Sequence, residues 1–245
     1  MKFAVQLYSL RELAAREGAE AVLRTVSEAG YDGVEFAGFY DLSPEQMKAL
    51  LQKYRLEPVS AHIGAGEVAS NMDYIQELGI RNVFVPYVTK NTFDDETEYG
   101  VLCRKIEDAY AILRGKALFG YHNHAHEFED GKDRVQKLLT DLPFLKSELD
   151  VFWAKVAGLD PVAYMQKLGD RLAFVHIKEA AAKDPAHTAQ PVVGEGAVDM
   201  RGVFDQMKKK DIGWAVLEVE QYPCPEAEYL VRSLKNMKKL AEERK

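Results

Sequence analysis

Eight short runs of apolar and β-branched residues recur along the 245-residue chain, separated by segments with helical periodicity. Runs of about five residues that alternate with helices are typical of βα units and of a parallel sheet. The strands are predicted near residues 3–8, 33–37, 58–62, 82–86, 117–122, 146–151, 172–177 and 214–219. Eight βα units in roughly 250 residues predict an α/β fold, a (β/α)8 TIM barrel with a parallel eight-stranded inner barrel.

Helix boundary signals support this division. Ser43 and Gln46 form a capping box around Pro44, and Asp160 and Asp199 are predicted to cap two later helices. A doubly wound open sheet is the rival fold, but it normally has a glycine-rich phosphate turn after its first strand, and residues 6–11 contain no glycine. The longest connection, 178–213, is predicted to cross one end of the barrel, so residues 1–245 are expected to form one domain.

Composition excludes several classes of protein. The net charge of -7 argues against binding to a nucleic-acid backbone, which requires a basic surface. No run of about 18 apolar residues is present to span a membrane, and the first residues lack the apolar core of a signal peptide. Two cysteines are too few for a disulfide scaffold. These features predict a cytoplasmic protein.

Polar residues stand at the carboxyl ends of the predicted strands, where TIM barrels place their active sites. They are Gln6, Tyr8, Glu35, His62, His122, His124, Glu148, Asp150, His176, Lys178, Glu218 and Glu220. Histidines and carboxylates from several strands that converge on one opening are typical of a divalent metal site. A mixed nitrogen and oxygen ligand set suits manganese, cobalt, zinc or magnesium, and the sequence does not choose among them.

Each of these residues also has a structural interpretation. A single histidine at a strand end is more often hydrogen-bonded than metal-bound, and either Glu218 or Glu220 could pair with a lysine. Lys155 and Lys178 could lie on the surface. Trp153 could pack in the barrel or stack on a sugar ring. The joint pattern favours a site, because polar residues at so many strand ends would otherwise have to be a coincidence.

The chain resembles the xylose isomerase-like TIM barrel superfamily, which includes sugar phosphate isomerases and epimerases, inosose-type dehydratases and endonuclease-IV-type enzymes. The resemblance covers nearly the whole chain. Its carriers are GVE at 33–35, SAH at 60–62, YHNHAHEF at 121–128, ELDVFW at 148–153, VHIK at 175–178, VGEGAVD at 193–199 and VEQ at 219–221.

The resemblance implies one divalent ion held by residues from strands five to eight. Asp150, His176 and Glu220 match three of the family positions. The strand-five ligand of the family is usually glutamate, and the matching position here is His122. Glu127 folding back into the site is the alternative, and His122 is the preferred prediction.

The resemblance also implies a sugar isomerase or epimerase that removes a proton next to a carbonyl through an enediolate. Epimerases of this type use two glutamates, and a histidine metal ligand cannot act as a base while its lone pair is engaged. Dehydratase or lyase chemistry on a keto-sugar or an inosose-like polyol is therefore the alternative. Glu35, Glu220, His124 and Lys155 are the predicted proton-transfer groups. The predicted substrate-binding residues are Gln6, Tyr8, His62, Trp153, Lys178 and Glu195.

Two other functions are less favoured. An AP-endonuclease-like protein would need more metal ligands and a surface that attracts DNA. A non-catalytic sugar-binding barrel would have lost its acids and histidines at the strand ends. The expected partner is a small sugar or polyol without a phosphate group, and not a nucleic acid or a membrane. The resemblance also implies that exposed barrel helices can pair into a homo-oligomer.

Overall fold

A computed structural model describes residues 1–242 of the chain. Its eight strands are all parallel and close into a barrel in the order β1 to β8, which confirms the predicted (β/α)8 fold. The strands are β1 Lys2–Gln6, β2 Gly33–Phe36, β3 Glu57–His62, β4 Asn82–Val85, β5 Leu118–His122, β6 Lys146–Asp150, β7 Leu172–Ile177 and β8 Trp214–Leu217. The single-domain division of residues 1–245 stays a prediction.

The α-helices lie between the strands and after β8. They are α1 Arg11–Glu17, α2 Ala19–Glu28, α3 Pro44–Tyr54, α4 Met72–Leu78, α5 Lys90–Asp94, α6 Glu96–Leu113, α7 Arg134–Asp141, α8 Val151–Val156, α9 Pro161–Leu168, α10 Met200–Lys209 and α11 Glu226–Glu242. The capping box of Ser43 is present at α3, and Asp160 and Asp199 cap α9 and α10. None of these helices combines the length and apolar character that a transmembrane span requires, within residues 1–242.

The first and last strands end earlier than predicted. β1 stops at Gln6 because Leu7–Leu10 turn into a 3-10 helix, which the Gln6 side chain caps by accepting a hydrogen bond from the Tyr8 amide at 3.0 Å. β8 stops at Leu217, so Glu218 and Glu220 lie in the segment that follows it. Tyr8 is therefore free of the sheet and stands 47% exposed at the opening of the barrel.

The barrel interior has an apolar end and a polar end. Near the amino ends of the strands, a small cluster of Ala4, Val59, Phe84, Phe174 and Val216 fills the interior, and the two phenylalanine rings lie 5.2 Å apart. About two residues further towards the carboxyl ends of the strands, the buried side chains are polar. These are Gln6, Glu35, His122, Glu148, His176 and Glu218. The apolar side chains fill the barrel at this end, and the polar residues pack against them.

Gly33 marks a point where two strands approach too closely for a side chain. A Cβ atom there would lie 2.6 Å from the Glu57 carbonyl oxygen and 2.6 Å from Val59 Cγ2. We expect Gly33→Ala to lower the free energy of unfolding by about 1–3 kcal/mol, because backbone must move to relieve the overlap. Urea unfolding measures the change. Gly66→Ala is the control, since a Cβ there meets nothing within 4 Å, and equal stabilities of the two variants would contradict this packing.

Candidate active site and metal-binding cluster

A cavity of about 450 Å³ opens at the carboxyl ends of the strands. Its walls combine imidazoles, carboxylates and aromatic rings. The lining residues are Tyr8, Ala37, His62, Pro86, Tyr87, His122, His124, Trp153, Glu218 and Glu220. A mostly apolar cavity with a few convergent polar groups is the usual form of a small-molecule site. The sequence prediction that function collects at this end of the barrel thus agrees with the position of the cavity.

Four buried residues gather at the base of the cavity. His122, Asp150, His176 and Glu218 each bring one potential ligand atom, and these atoms lie within 4.8 Å of one another. They come from the ends of β5, β6 and β7 and from the residue directly after β8. Since parallel neighbours end together, adjacent strands of the barrel deliver these side chains to one place. We call these four residues the metal-binding cluster.

The donors of this cluster fit a divalent cation. Asp150 Oδ1 accepts a hydrogen bond from the Trp153 amide at 2.9 Å, whereas Oδ2 is buried without a hydrogen-bond partner. Burial raises the pKa of Asp150 to about 7, and the nearby Lys178 ammonium limits that rise. Two imidazoles with two carboxylates form a ligand set that suits zinc, manganese or cobalt. A bound cation would give the buried Oδ2 a closer positive partner than the Lys178 ammonium, which lies 3.9 Å away.

The structure places Glu218 in the cluster where the family pattern predicted Glu220. Glu220 instead accepts a hydrogen bond from the Lys178 ammonium. Its side chain is 28% exposed and lines the cavity, whereas the side chain of Glu218 is 8% exposed. Lys178 directly follows the neighbouring β7, and its hydrogen bond holds the Glu220 side chain outside the metal-binding cluster.

Lys178 is a fully buried cation among carboxylates. Its Nζ lies 3.7 Å from Glu218 Oε2 and 3.9 Å from Asp150 Oδ2. Burial lowers the pKa of this ammonium, but Glu218, Asp150 and Glu220 together raise it above its ordinary value. Burial likewise disfavours ionised Glu218, yet Lys178 and His176 hold the pKa of that carboxyl well below its usual range. Lys178 therefore stays charged and does not reach the surface as a solvated lysine would.

A second layer of carboxylates holds the imidazoles from below. His176 Nε2 lies 2.5 Å from Glu35 Oε1, while His176 Nδ1 lies 3.1 Å from Glu218 Oε2. Gln6 and Ser60 donate hydrogen bonds to the two oxygens of Glu35 at 2.8 and 2.5 Å. Glu35 is fully buried beneath His176 and does not line the cavity. This geometry matches a carboxylate that orients a metal-binding histidine more closely than one that contacts substrate.

Glu148 has a similar place under the other two imidazoles. His62 Nε2 lies 2.7 Å from Glu148 Oε2, and His122 Nδ1 lies 3.2 Å from the same oxygen. Together with His176, these residues form a second group whose potential ligand atoms also lie within 4.8 Å of one another. His62 belongs to this group and also lines the cavity, at the end of β3.

His124 and Trp153 line the cavity, and each has a ring nitrogen that makes no hydrogen bond within the protein. His124 Nδ1 and Trp153 Nε1 are buried without hydrogen-bond partners, and the two rings lie 5.5 Å apart. Burial, with the neighbouring His122, lowers the pKa of His124 to about 2. A neutral imidazole with so low a pKa is a poor general base and a good hydrogen-bonding group.

Glu127 does not fold into the metal-binding cluster. Its carboxylate accepts hydrogen bonds from the Tyr121 hydroxyl at 2.5 Å and from the His124 amide at 2.9 Å. Burial lowers the pKa of His122 to about 4, so that this ring is neutral and can offer a lone pair. The structure therefore brings His122, and not Glu127, to the base of the cavity from β5.

Gln6, Glu35 and Lys178 are buried below the cavity and do not line it, whereas two other residues predicted for the site lie on the exposed surface. Lys155 is exposed on α8, one turn beyond the cap at Asp150, where the helix turns it to solvent. Glu195 is exposed in the loop after β7 and forms an ion pair with Arg232 at 3.0 Å. Neither lines the cavity. Tyr87 lines the cavity but was not predicted, because β4 itself ends at Val85 without a polar residue. Its position two residues after the end of a strand is the signal that could have identified it.

Comparisons with known proteins agree with this architecture. The family described as xylose isomerase-like TIM barrel matches residues 23–240. An inosose dehydratase from Geobacillus kaustophilus is 22% identical over 84% of this chain and 81% of its own. A solved sugar phosphate isomerase/epimerase from Parabacteroides distasonis superposes with a TM-score of 0.76 at 24% identity over 97% of this chain and 96% of its own.

The probable 3-DHS dehydratase AsbF from Bacillus anthracis has the same fold, with a TM-score of 0.74 at 15% identity over 97% of this chain and 99% of its own. Isomerase, epimerase and dehydratase names thus occur on one fold, which fits either kind of reaction. These relatives are enzymes by name. Because the family match covers most of the chain, this protein belongs to the xylose isomerase-like TIM barrel family.

Proposed function

We propose that this chain is a divalent-metal-dependent enzyme that removes a proton next to the carbonyl of a keto-sugar or keto-cyclitol, and that loss of water follows. The observation that carries the proposal is the metal-binding cluster directly below a cavity that Glu220 lines. A candidate metal site, a carboxylate outside it and a cavity of small-molecule size meet there. This is the arrangement that proton abstraction beside a carbonyl requires.

His122, Asp150, His176 and Glu218 would hold the ion. When bound, a divalent ion supplies Lewis acidity that stabilises negative charge on the carbonyl oxygen of a substrate. Glu35 keeps one nitrogen of His176 occupied, so the other nitrogen faces Glu218 and the cluster. Gln6 and Ser60 in turn fix Glu35. We therefore assign Glu35 a positioning role.

Glu220 is the proposed general base. It lines the cavity and is held by the buried Lys178, which keeps a positive charge beside the reacting region. Glu220 takes the proton from the carbon next to the carbonyl, and the electrons of that C–H bond form an enediolate. The enediolate then expels the hydroxyl group from the carbon β to the carbonyl. Glu220 returns its proton to this hydroxyl group, which leaves as water.

Histidine in place of a strand-five carboxylate favours dehydration. Symmetrical epimerisation needs a second base on the opposite face of the substrate, and the two histidines that β5 brings to the cavity, His122 and His124, have pKa values lowered to about 4 and about 2. One carboxylate suffices for elimination when the proton and the hydroxyl leave from the same face. The similarity to an inosose dehydratase supports this outcome.

A sugar isomerase or epimerase is the second candidate. The similarity to a solved sugar phosphate isomerase/epimerase favours it, and Glu220 could return its proton to the neighbouring carbon instead. Both candidates share the first step and a small sugar or polyol as partner. Self-association and a cytoplasmic location stay predictions from the sequence.

The test incubates the metal-loaded protein with an inosose and with neutral ketoses in D2O and follows the products by NMR. Formation of a dehydrated product supports the dehydratase. Deuterium uptake with rearrangement and no loss of water would favour the isomerase or epimerase instead. Absence of both exchange and product, in protein that holds one ion per chain, would overturn the proposed function.

Trp153→Phe tests whether the unpartnered Nε1 recognises substrate. The change removes one hydrogen-bond donor and keeps an aromatic ring at the wall. We expect KM to rise about 3–10-fold with kcat nearly unchanged, since one neutral hydrogen bond would be lost in ground state and transition state alike. Steady-state kinetics with the substrate found above measure both constants, and an unchanged KM would show that Nε1 makes no substrate contact.

A further inference from the structure

The loops after β7 and β8 are where many TIM barrels bind a phosphate group, through free backbone amides. In this chain a carboxylate of the protein occupies the first of these loops. Glu179, fully buried, accepts hydrogen bonds from the amides of Ala180, Gly194 and Val198 at 3.0, 2.9 and 2.9 Å. The loop packs so closely on Glu179 that a Cβ at Gly196 would lie 2.5 Å from its Cγ.

Other amides near this loop are also taken. The amide of Glu195 donates to the Val192 carbonyl at 2.9 Å, and that of Ala197 donates to Ala180 at 2.8 Å. At the start of α10, the side chain of Asp199 accepts from the Gly202 amide at 2.9 Å. These amides therefore already donate to carboxylates and carbonyls of the chain itself.

Side chains fill the loop after β8 in the same way. Gln190 Oε1 accepts from the amides of Glu220 and Gln221 at 3.1 and 2.7 Å. Ser9 Oγ accepts from the Val219 amide at 3.0 Å. These three consecutive amides follow directly on Glu218 in the chain, and each already donates to a side chain of the protein.

The cations near the cavity are engaged as well. Lys178 lies among Asp150, Glu218 and Glu220. Arg11 donates to the carbonyl oxygens of Glu220 and Tyr8 at 2.9 and 3.2 Å and stacks on the Tyr8 ring. Among the groups of the protein itself, an anionic group entering the cavity would meet the carboxylates of Glu218 and Glu220 before it met an uncommitted cation, and like charges brought together in this way disfavour binding.

We propose that the site selects substrates without a phosphate or carboxylate group, and that Glu179 and Gln190 determine this specificity by occupying the amides of the β7 and β8 loops from within the chain. The inference rests on the proposed function for its reaction, and narrows the substrate to an uncharged keto-sugar or keto-cyclitol. It makes a separate claim about anions, which can be tested without turnover.

The first test measures the melting temperature in inorganic phosphate against chloride of equal ionic strength, for the metal-loaded protein and again after chelation. We expect a shift below about 1 °C for the original sequence, whereas a phosphate group bound at about 100 times its Kd would raise the melting temperature by roughly 5–10 °C. Glu179→Ala frees the three amides, so we expect phosphate to raise its melting temperature by that larger amount.

Asp184→Asn is the matched control, because it removes an exposed carboxylate from the same loop and should respond as the original sequence does. A second measurement needs no variant and covers the case in which Glu179→Ala does not fold. It compares the Kd of D-fructose with that of D-fructose 6-phosphate on the original protein, with and without metal. We expect the phosphate group to give no gain in affinity.

Tenfold tighter binding of the phosphorylated sugar, or a phosphate-dependent rise in melting temperature of the original sequence, would overturn the inference. If phosphate fails to bind and yet no neutral keto-sugar is converted, the proposed function fails while the exclusion of anions stands. The two proposals are thus separated by independent readouts.

Discussion

Asp150→Asn should weaken binding of a divalent ion at least ~100-fold, because a carboxylate that directly binds a metal contributes more than the outer partners whose loss costs about 10–100-fold. Asparagine keeps the shape of the side chain and an oxygen that can accept from the Trp153 amide, so α8 retains its cap. An uncharged amide nitrogen replaces the buried Oδ2, which lacks a hydrogen-bond partner.

Metal content by mass spectrometry and the change of melting temperature on chelation measure this effect. The original sequence should carry near one ion per chain and lose stability with a chelator, and Asp150→Asn should show neither property. Asp160→Asn is the control, since Asp160 also caps a helix by accepting from backbone amides but lies outside the cluster. Equal metal content in Asp150→Asn and the original protein would remove Asp150 from the proposed site.

Glu220→Gln should lower kcat by a factor of about 10²–10⁴ and leave the metal content unchanged. Glutamine keeps an oxygen that can accept from Lys178, so the geometry beside the cavity is retained while the proton acceptor is lost. The effect follows from the position of Glu220, which lines the cavity but stands outside the metal-binding cluster.

Glu218→Gln provides the paired comparison for this prediction. It should lose the ion, because Glu218 belongs to the cluster. Single-turnover kinetics and metal analysis of both variants separate the two roles. Loss of metal from Glu220→Gln, with normal metal in Glu218→Gln, would restore the assignment that the family pattern suggested and would refute the arrangement at β8.

Local patterns were sufficient to predict the barrel. Strand and helix periodicities and the caps at Ser43, Asp160 and Asp199 depend on neighbouring residues only, and the structure has each of them. The polar ends of the strands were equally visible, because alternation along a strand places side chains on one face. This is why His122, Asp150 and His176 were found from the sequence and lie together in the structure.

The choice between Glu218 and Glu220 could not be made in this way. The two residues are two positions apart, and alternation along a strand treats them alike. β8 ends before both of them, and Lys178 from the neighbouring strand hydrogen-bonds the second, so the partner that decides lies 42 positions away in the chain. Lys155 shows the same limit, since one helical turn after β6 carries it to the exposed side of α8.

The sequence by itself determined the class of fold, the end of the barrel that carries the site, and the chemical types that meet there, since all three depend on the order of residues along single strands and helices. The tertiary structure decided which atoms face each other. It turned one nitrogen of His176 to Glu35 and the other to Glu218, and it placed Glu179 and Gln190 on the loop amides. His176 and Glu35 stand 141 positions apart, and Glu179 reaches amides up to 19 positions away, so the folded barrel and its loops are needed to bring these residues within hydrogen-bonding distance.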